Sequence, residues 1–510
     1  MIACSVLSPK ADGVVKERPE MADFFIDLNL DQIVDGITAG KDEYNLKPFF
    51  YCPQGDVDEI VYRQEVMQDL ENEAVKEVIE SFEKDMRTMR QHLAMADKLF
   101  YKYQKERWFL DAVEVYCAAV QSLARNLGRV EARSRGLQAF CDYLDEYVAS
   151  ERFSSLLSQT RKLHGDLDFV HYTIKVSGNR VRVQKYDFEG DYSAEVELTF
   201  DKFKQGAVKD YLLKFRSYAE MNHVEAQVLE LVARLYPEVF EDLDSFRTRN
   251  AGYLDETIAA FDREVQFYIT YLDYIALLKR AGLKFCYPGV SNATREIHDF
   301  DGFDLALARK LVIEGSAVVC NDFSLTGKER IIIVSGPNQG GKTTFSRAFG
   351  QMHYLASLGC PVQGREAQLF LFDKLFTHFE KEEDIKNLRG KLEDDLVRIH
   401  RVLAEATSNS IIIMNEIFNS TTLKDAVFLG RKVMEKIIGL DLICVCVTFI
   451  DELSSMSEKT VSMVSTVDPA DTSVRTFHVV RRAADGLAYA LSIAEKYHLT
   501  YTTLRERIPS

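Results

Sequence analysis

The chain has 510 residues, of which 46% are hydrophobic and 28% charged, with a formal net charge of −16. Such a length exceeds what one hydrophobic core serves, so about two or three domains of ordinary globular composition are expected. No run of about 18 apolar residues is present to span a membrane, Met1 to Asp12 shows no secretory signal, and nine scattered cysteines without CxxC pairs fit reduced thiols in a cytoplasmic protein; the acidic balance excludes nucleic-acid binding by overall charge, leaving only a local basic surface for it.

Helices are predicted first. From Asp56 to about Val148 apolar residues recur at three- and four-residue steps, including Val66, Leu70, Val75, Ile79 and Phe82, with almost no Gly or Pro. The period then changes. Tyr172–Val176 and Arg180–Tyr186 alternate around Ser177-Gly178-Asn179 and predict a β-hairpin, with Glu195–Phe200 as a third strand. Lys175, Arg180, Arg182 and Lys185 lie on or near this hairpin, so one face would offer positive charge to a phosphate backbone. The same alternation also serves a solvated edge strand that resists aggregation. A second helical block is predicted from about Val208 to Leu283, punctuated by Pro237 and Gly252 and stopped by Gly282. Pro288 and Gly289 mark a junction, after which strands and helices alternate as in an α/β domain with a mainly parallel sheet. The expected fold class is therefore α + α/β: residues 1–290 form a long-helix domain with a small β insert at about 170–200, and residues 291–510 form the α/β domain.

The α/β part opens with the most specific pattern in the chain. The apolar run Ile331–Val334 feeds into Gly336-Pro337-Asn338-Gln339-Gly340-Gly341-Lys342-Thr343-Thr344, and an apolar-periodic helix follows. Strand, Gly-rich loop and helix in that order cradle phosphates. The glycines let successive N–H groups point inward, and the helix start adds its positive dipole end. Lys342 would reach the β- and γ-phosphates of a nucleoside triphosphate and the Thr343 hydroxyl would ligate Mg²⁺. A second apolar strand, Ser410–Met414, ends in Asn415-Glu416. Acidic residues at that place hold Mg²⁺ through water and orient the attacking water. Asn415 can still accept a bond from a Mg²⁺-bound water but brings no charge, so weak Mg²⁺ retention and slow turnover are expected; Glu416 keeps the general-base position.

Residues from about 318 to 508 resemble the ATPase domain of the MutS family. The loop 336–344 is similar to that family's GPNMGGKST, Phe372-Asp-Lys-Leu-Phe-Thr-His378 to IDRIFTR, Ile411–Ile417 to LVLLDEI, and Val447–Leu453 to ATHYHEL, while Phe477–Val480 and Tyr489–Ala494 fit the segment that follows. The resemblance implies an ABC-class P-loop ATPase domain, with ATP and Mg²⁺ as cofactors and DNA and a second copy of the chain as partners. It further implies that the helical half is a lever and the β insert a reduced clamp. Asn321 stands where the family has the Asn of its adenine segment, with Val318 in the aromatic position. Ser420, Thr421 and Thr422 occupy the signature loop that reaches ATP of the opposite subunit, although an ST-rich helix cap serving its own backbone gives the same pattern.

Three departures bear on function. The lever-like helices begin by about residue 56, leaving no room for a mismatch-reading domain, and no Phe is followed by Glu two places on. Asn415 replaces the Mg²⁺ aspartate, and Phe449 replaces a histidine near the γ-phosphate. The expected function is an ATP-driven dimeric clamp on structured or branched DNA, acting in repair or recombination and possessing slow ATPase activity, with other repair proteins as further partners and no membrane. The competing expectation is a nucleotide-locked scaffold with negligible hydrolysis and no DNA. A structural ATPase of the SMC type fails on layout, because both nucleotide motifs lie in one block, and a small-molecule kinase fails on the later motifs. The last motif lies shortly before Ser510, so no appended nuclease domain is expected.

Overall fold

The computed structural model describes residues 4–10, 15–187, 195, 196, 199, 221–380, 390–471, 474–484, 501 and 505. The chain divides into two compact units, one of residues 73–132 and 140–262 and the other of residues 1–72, 133–139 and 263–510. Residues 290 and 291, where the expected division falls, both lie in the second of these.

The first unit is built on long helices. Helices α1 (Glu73–Lys98) and α2 (Lys102–Leu127) pack along their length. The three-residue link between them makes them antiparallel neighbours. The α1 face that alternates Val75, Ile79, Phe82, Met86 and Met89 is buried, as three- and four-residue spacing requires. Helices α3 (Arg135–Ala149), which belongs to this unit from residue 140 on, and α4 (Glu151–Asp168) follow, and Ser150 caps the second by accepting from Phe153 N–H. Strands β1 (Tyr172–Ser177) and β2 (Arg180–Lys185) form the expected hairpin around Gly178, whose φ of 60° turns the chain. The third strand expected over 195–200 is not what the described positions form. Glu195, Val196 and Thr199 are helical, and Thr199 Oγ1 donates to the Glu195 carbonyl four residues back at 2.7 Å. That local bond competes with a strand ladder; residues 197, 198 and 200 lie outside the described residues, as do 201–220. The second helical block becomes α5 (His223–Leu235), α6 (Pro237–Arg249) and α7 (Glu256–Arg280), whose residues from 263 on belong to the second unit. Asn222 and Glu225 form a capping box on α5, and Pro237 occupies the first turn of α6, where its missing N–H costs nothing.

In the second unit the helix Val57–Leu70, capped by Asp56, is followed after residue 263 by two main sheets. Strands β3 (Ile297–Gly302), β4 (Asn321–Leu325) and β6 (Glu366–Phe370), with the short strand Gly289–Ser291, make a four-stranded mixed sheet. The other sheet contains β5 (Ile331–Ser335), β7 (Leu375–His378), β8 (Ile411–Asn415), β9 (Ile443–Val447), β10 (Thr460–Val467) and β11 (Arg475–Arg481), in the order β7-β8-β9-β5-β10-β11. All neighbours are parallel except β11, which runs antiparallel on the edge. Helices α8 (Lys342–Ser357), α9 (Lys391–Glu405) and α10 (Leu423–Leu440) connect them. Strands β5 and β9 are buried throughout and β8 from Ile411 to Met414. Such uninterrupted apolar runs belong to parallel strands covered on both faces. None of the nine cysteines forms a disulfide. No helix among the described residues is long and apolar enough to cross a membrane.

Candidate nucleotide-binding site

Parallel strands align their carboxyl ends on one edge, and ligands of open α/β sheets gather there. Here β5, β8 and β9 end side by side. Thr448 N–H donates to the Val334 carbonyl at 3.0 Å, and Glu416 N–H to the Val447 carbonyl at 2.9 Å, which sets the segments after the strands in register.

The loop after β5 needs its glycines. Gly336 has φ 117° and Gly341 φ 90°, both left-handed. A Cβ on Gly336 would come within 2.8 Å of the Ser465 carbonyl, and one on Gly340 within 2.2 Å of Ser465 Oγ, which itself donates to the Gly340 carbonyl at 2.6 Å. Strand β10 therefore presses the loop from behind. No side chain caps the start of α8, so its first N–H groups remain available to an anion. Pro337 is buried, Asn338 and Gln339 are exposed at the tip, and Thr344 is half-buried in the first turn of α8.

Lys342 is only 4% exposed. Its Nζ donates to the carbonyls of Gly336 (3.0 Å) and Pro337 (3.1 Å) and to Asn338 Oδ1 (3.5 Å), and lies 4.6 Å from the centre of the Phe449 ring. Burial holds its pKa below the usual lysine value, Glu416 pulls it up, and Arg475 pushes it further down. The ammonium thus rests on its own loop and on an aromatic face, a geometry that a phosphate would displace. Thr343 Oγ1 donates to Asn415 Oδ1 at 2.9 Å. The loop and the end of β8, 72 residues apart, are joined by that bond. Glu416 follows in left-handed conformation at φ 55°, and Asn419 Nδ2 donates to its Oε2 at 3.2 Å.

Other expected residues are placed differently. Asn321 spends its amide on backbone: Nδ2 donates to the Phe477 carbonyl at 3.2 Å and Oδ1 accepts from Val479 N–H at 2.7 Å, fastening β4 to β11. Thr422 is the N-cap of α10, accepting from Asp425 N–H and donating to Asp425 Oδ2 at 2.8 Å, while Ser420 is exposed and Thr421 half-buried beside it. On the hairpin, cross-strand partners share a face. Lys175 pairs with Arg182 and Ser177 with Arg180, so Lys175, Arg180 and Arg182 share one side. Lys185 falls on the other, apolar side, and its ammonium lies 4.9 Å from the centre of the Tyr236 ring.

Several contacts carry no mark in the sequence. Ser465 behind the loop is one. Arg475 Nε donates to the Asn338 carbonyl at 3.1 Å, and Phe477 takes φ 61° with its backbone 3.4 Å from where a Gly341 Cβ would stand. Only the antiparallel return of β11 brings the last two to the loop. In the helical unit His164 Nε2 lies 3.2 Å from Glu114 and 3.7 Å from Asp111, across 50 residues that no ligand spacing would connect.

Residues 332–506 match the family model described as MutS domain V. A protein named "Endonuclease MutS2" from Gemmatimonas aurantiaca is 27% identical over 205 residues, covering 39% of this chain and 25% of that protein. A "DNA mismatch repair protein MutS" from Rickettsia bellii is 25% identical over 290 residues, 54% of this chain and 31% of the relative. Another of that name, from Shouchella clausii, is 30% identical over 191 residues, 36% of this chain and 22% of its own length. Each match thus spans less than a third of the relative.

Proposed function

The chain is a member of the MutS family, and we propose that it binds ATP at the loop 336–344, hydrolyses it slowly, and uses the cycle to close a dimeric clamp on DNA in repair or recombination. The observation that carries the proposal is the convergence of Lys342, Thr343 and Asn415 at one sheet edge, with the Thr343–Asn415 bond at 2.9 Å. Incoming phosphates take Lys342 from its carbonyl partners, the uncapped start of α8 meets their charge, and Glu416, next along the chain from Asn415, accepts a proton from the attacking water. Thr343 and Asn415 offer a hydroxyl and an amide oxygen, the hard donors that Mg²⁺ takes, with Asn415 acting through water. When bound there, the cation neutralises charge on the β- and γ-phosphates. The missing carboxylate at Asn415 makes its retention weak and the turnover slow. Across a dimer, Ser420 and Thr421 donate to the phosphates of the opposite subunit, with Thr422 holding the start of α10 beside them. The long helices act as the lever, residues 170–200 as the reduced clamp, and Lys175, Arg180 and Arg182 as its phosphate contacts.

The contact of Phe449 with Lys342 favours one other reading: a scaffold in which ATP locks a dimer without measurable hydrolysis or DNA. Steady-state ATP hydrolysis with Mg²⁺, alone and with duplex, mismatched and four-way-junction DNA, separates them. Stimulation or suppression by one DNA structure, lost at higher salt, is the expected result. A rate indifferent to every DNA overturns the clamp.

A further inference from the structure

We infer that Arg475 is a second phosphate-binding cation, supplied by the same chain beside Lys342. This rests on the proposal that 336–344 is the phosphate loop, and deepens it. Strand β11 runs antiparallel to β10, with Arg475 opposite Val467. Its first residue therefore lies at the sheet edge where β5 and β10 end, the edge at which the loop leaves β5. From there the Arg475 Nε–H reaches the Asn338 carbonyl at 3.1 Å. Asn338 is also the residue whose Oδ1 meets Lys342 Nζ at 3.5 Å. Two cations thus converge on one exposed loop residue, Lys342 on its side chain and Arg475 on its carbonyl.

Like charges brought together cost free energy, and Lys342 and Arg475 meet on the same loop residue. A polyphosphate placed at the loop turns that repulsion into attraction for both cations, and a guanidinium matches phosphate oxygens with a planar fork of donors. The position of the charge also fits what the strand end lacks. With an amide at Asn415, the site has one carboxylate fewer to hold Mg²⁺, and Arg475 supplies positive charge to the phosphates without any metal. Binding of ATP should then depend on Arg475 most strongly when Mg²⁺ is withheld.

The alternative role is a brace, in which the guanidinium merely props the Asn338 carbonyl. Substitution by Gln tests this, because its amide keeps a donor for that carbonyl and removes the charge. Equilibrium binding of ATP, ADP and AMP to the full chain would be measured in EDTA and in Mg²⁺, for the wild type, Arg475→Gln, Arg475→Lys and Lys342→Ala. Arg481→Gln is the control: it lies on the same strand and pairs with Glu329, away from the loop. Losing one charged contact is expected to weaken ATP binding about tenfold or more in Arg475→Gln, with the loss larger in EDTA and shrinking from ATP to AMP, and with partial recovery in Arg475→Lys. Wild-type affinity in Arg475→Gln, or an equal loss for all three nucleotides, overturns the inference and leaves the phosphate loop standing. Failure of the wild type to bind ATP, or unimpaired binding by Lys342→Ala, instead sinks the loop assignment itself and this inference with it.

Discussion

Replacing Asp299 by Asn should make the fold less sensitive to rising pH. Asp299 lies in β3 and is completely buried. Gly302 and Gly364 close around it: a Cβ on either would stand 2.1–2.2 Å from one of its oxygens. Burial, reinforced by Asp322 and Asp301 and opposed by the Gly302 amide, pushes its pKa from 3.8 up to about 9. The sign follows from proton counts. Between about pH 4 and pH 9 the folded state keeps the carboxyl proton while the unfolded state has lost it. Unfolding therefore releases a proton, and this group's contribution to stability falls by about 1.4 kcal/mol for each unit of rising pH. From pH 5 to pH 7 the fall is about 2.7 kcal/mol, or roughly a hundredfold in the opening equilibrium. An Asn of the same shape adds a constant offset from its own contacts but no slope. Amide exchange over peptides covering β3 and β6, compared between variant and wild type at each pH, measures the difference directly. The ratio of exchange rates should widen by roughly a hundredfold from pH 5 to pH 7. A ratio that stays flat would mean Asp299 titrates normally in the fold and would refute the reasoning.

Three further outcomes are expected. Asn415→Asp keeps the bond from Thr343, 2.9 Å in the native pair, and adds a charge; the Mg²⁺ concentration for half-maximal hydrolysis should drop about tenfold, and an unchanged requirement would remove Asn415 from the metal. Glu416→Ala should leave ATP affinity within about twofold yet slow turnover by about a hundredfold or more, which single-turnover kinetics would read; an undiminished rate would mean another group takes the proton. Charge reversal of Lys175, Arg180 and Arg182 to Glu should weaken DNA binding, flatten its dependence on log salt by about 0.9 per lost phosphate contact, and spare ATP binding; an unaltered salt slope would retire the hairpin as the contact.

The strand–loop–helix setting of residues 331–357 was legible in the sequence because its geometry is local. Gly336 and Gly341 are needed for positive φ, Lys342 and Thr343 open the helix, and the buried run before them is contiguous in sequence. The pairing of that loop with Asn415 was legible for the same reason, since a strand ending in Asn-Glu marks its own carboxyl edge. The hairpin at 172–185 followed from alternation around Gly178. What alternation could not give was the consequence of register: Lys185 lies opposite Tyr172 and is drawn to the Tyr236 ring, off the basic face. The strand expected at 195–200 shows the limit of short patterns, because Thr199 satisfies itself on Glu195. Asn321 was marked by resemblance, whereas its amide is held by two backbone groups of β11. Arg475 and Ser465 were invisible because their roles come from strand order alone, and the burial of Asp299 comes with two glycines, Gly302 and Gly364, closing around it.

Equilibrium binding of Mg²⁺-ATP to the full wild-type chain and to Lys342→Ala tests the account most directly. The wild type should bind at one saturable site per chain, and the variant should lose affinity by roughly a hundredfold or more, since Lys342 supplies a buried charge-assisted contact. Equal affinity in the two proteins, or no binding by the wild type, would contradict the nucleotide site and every role assigned around it.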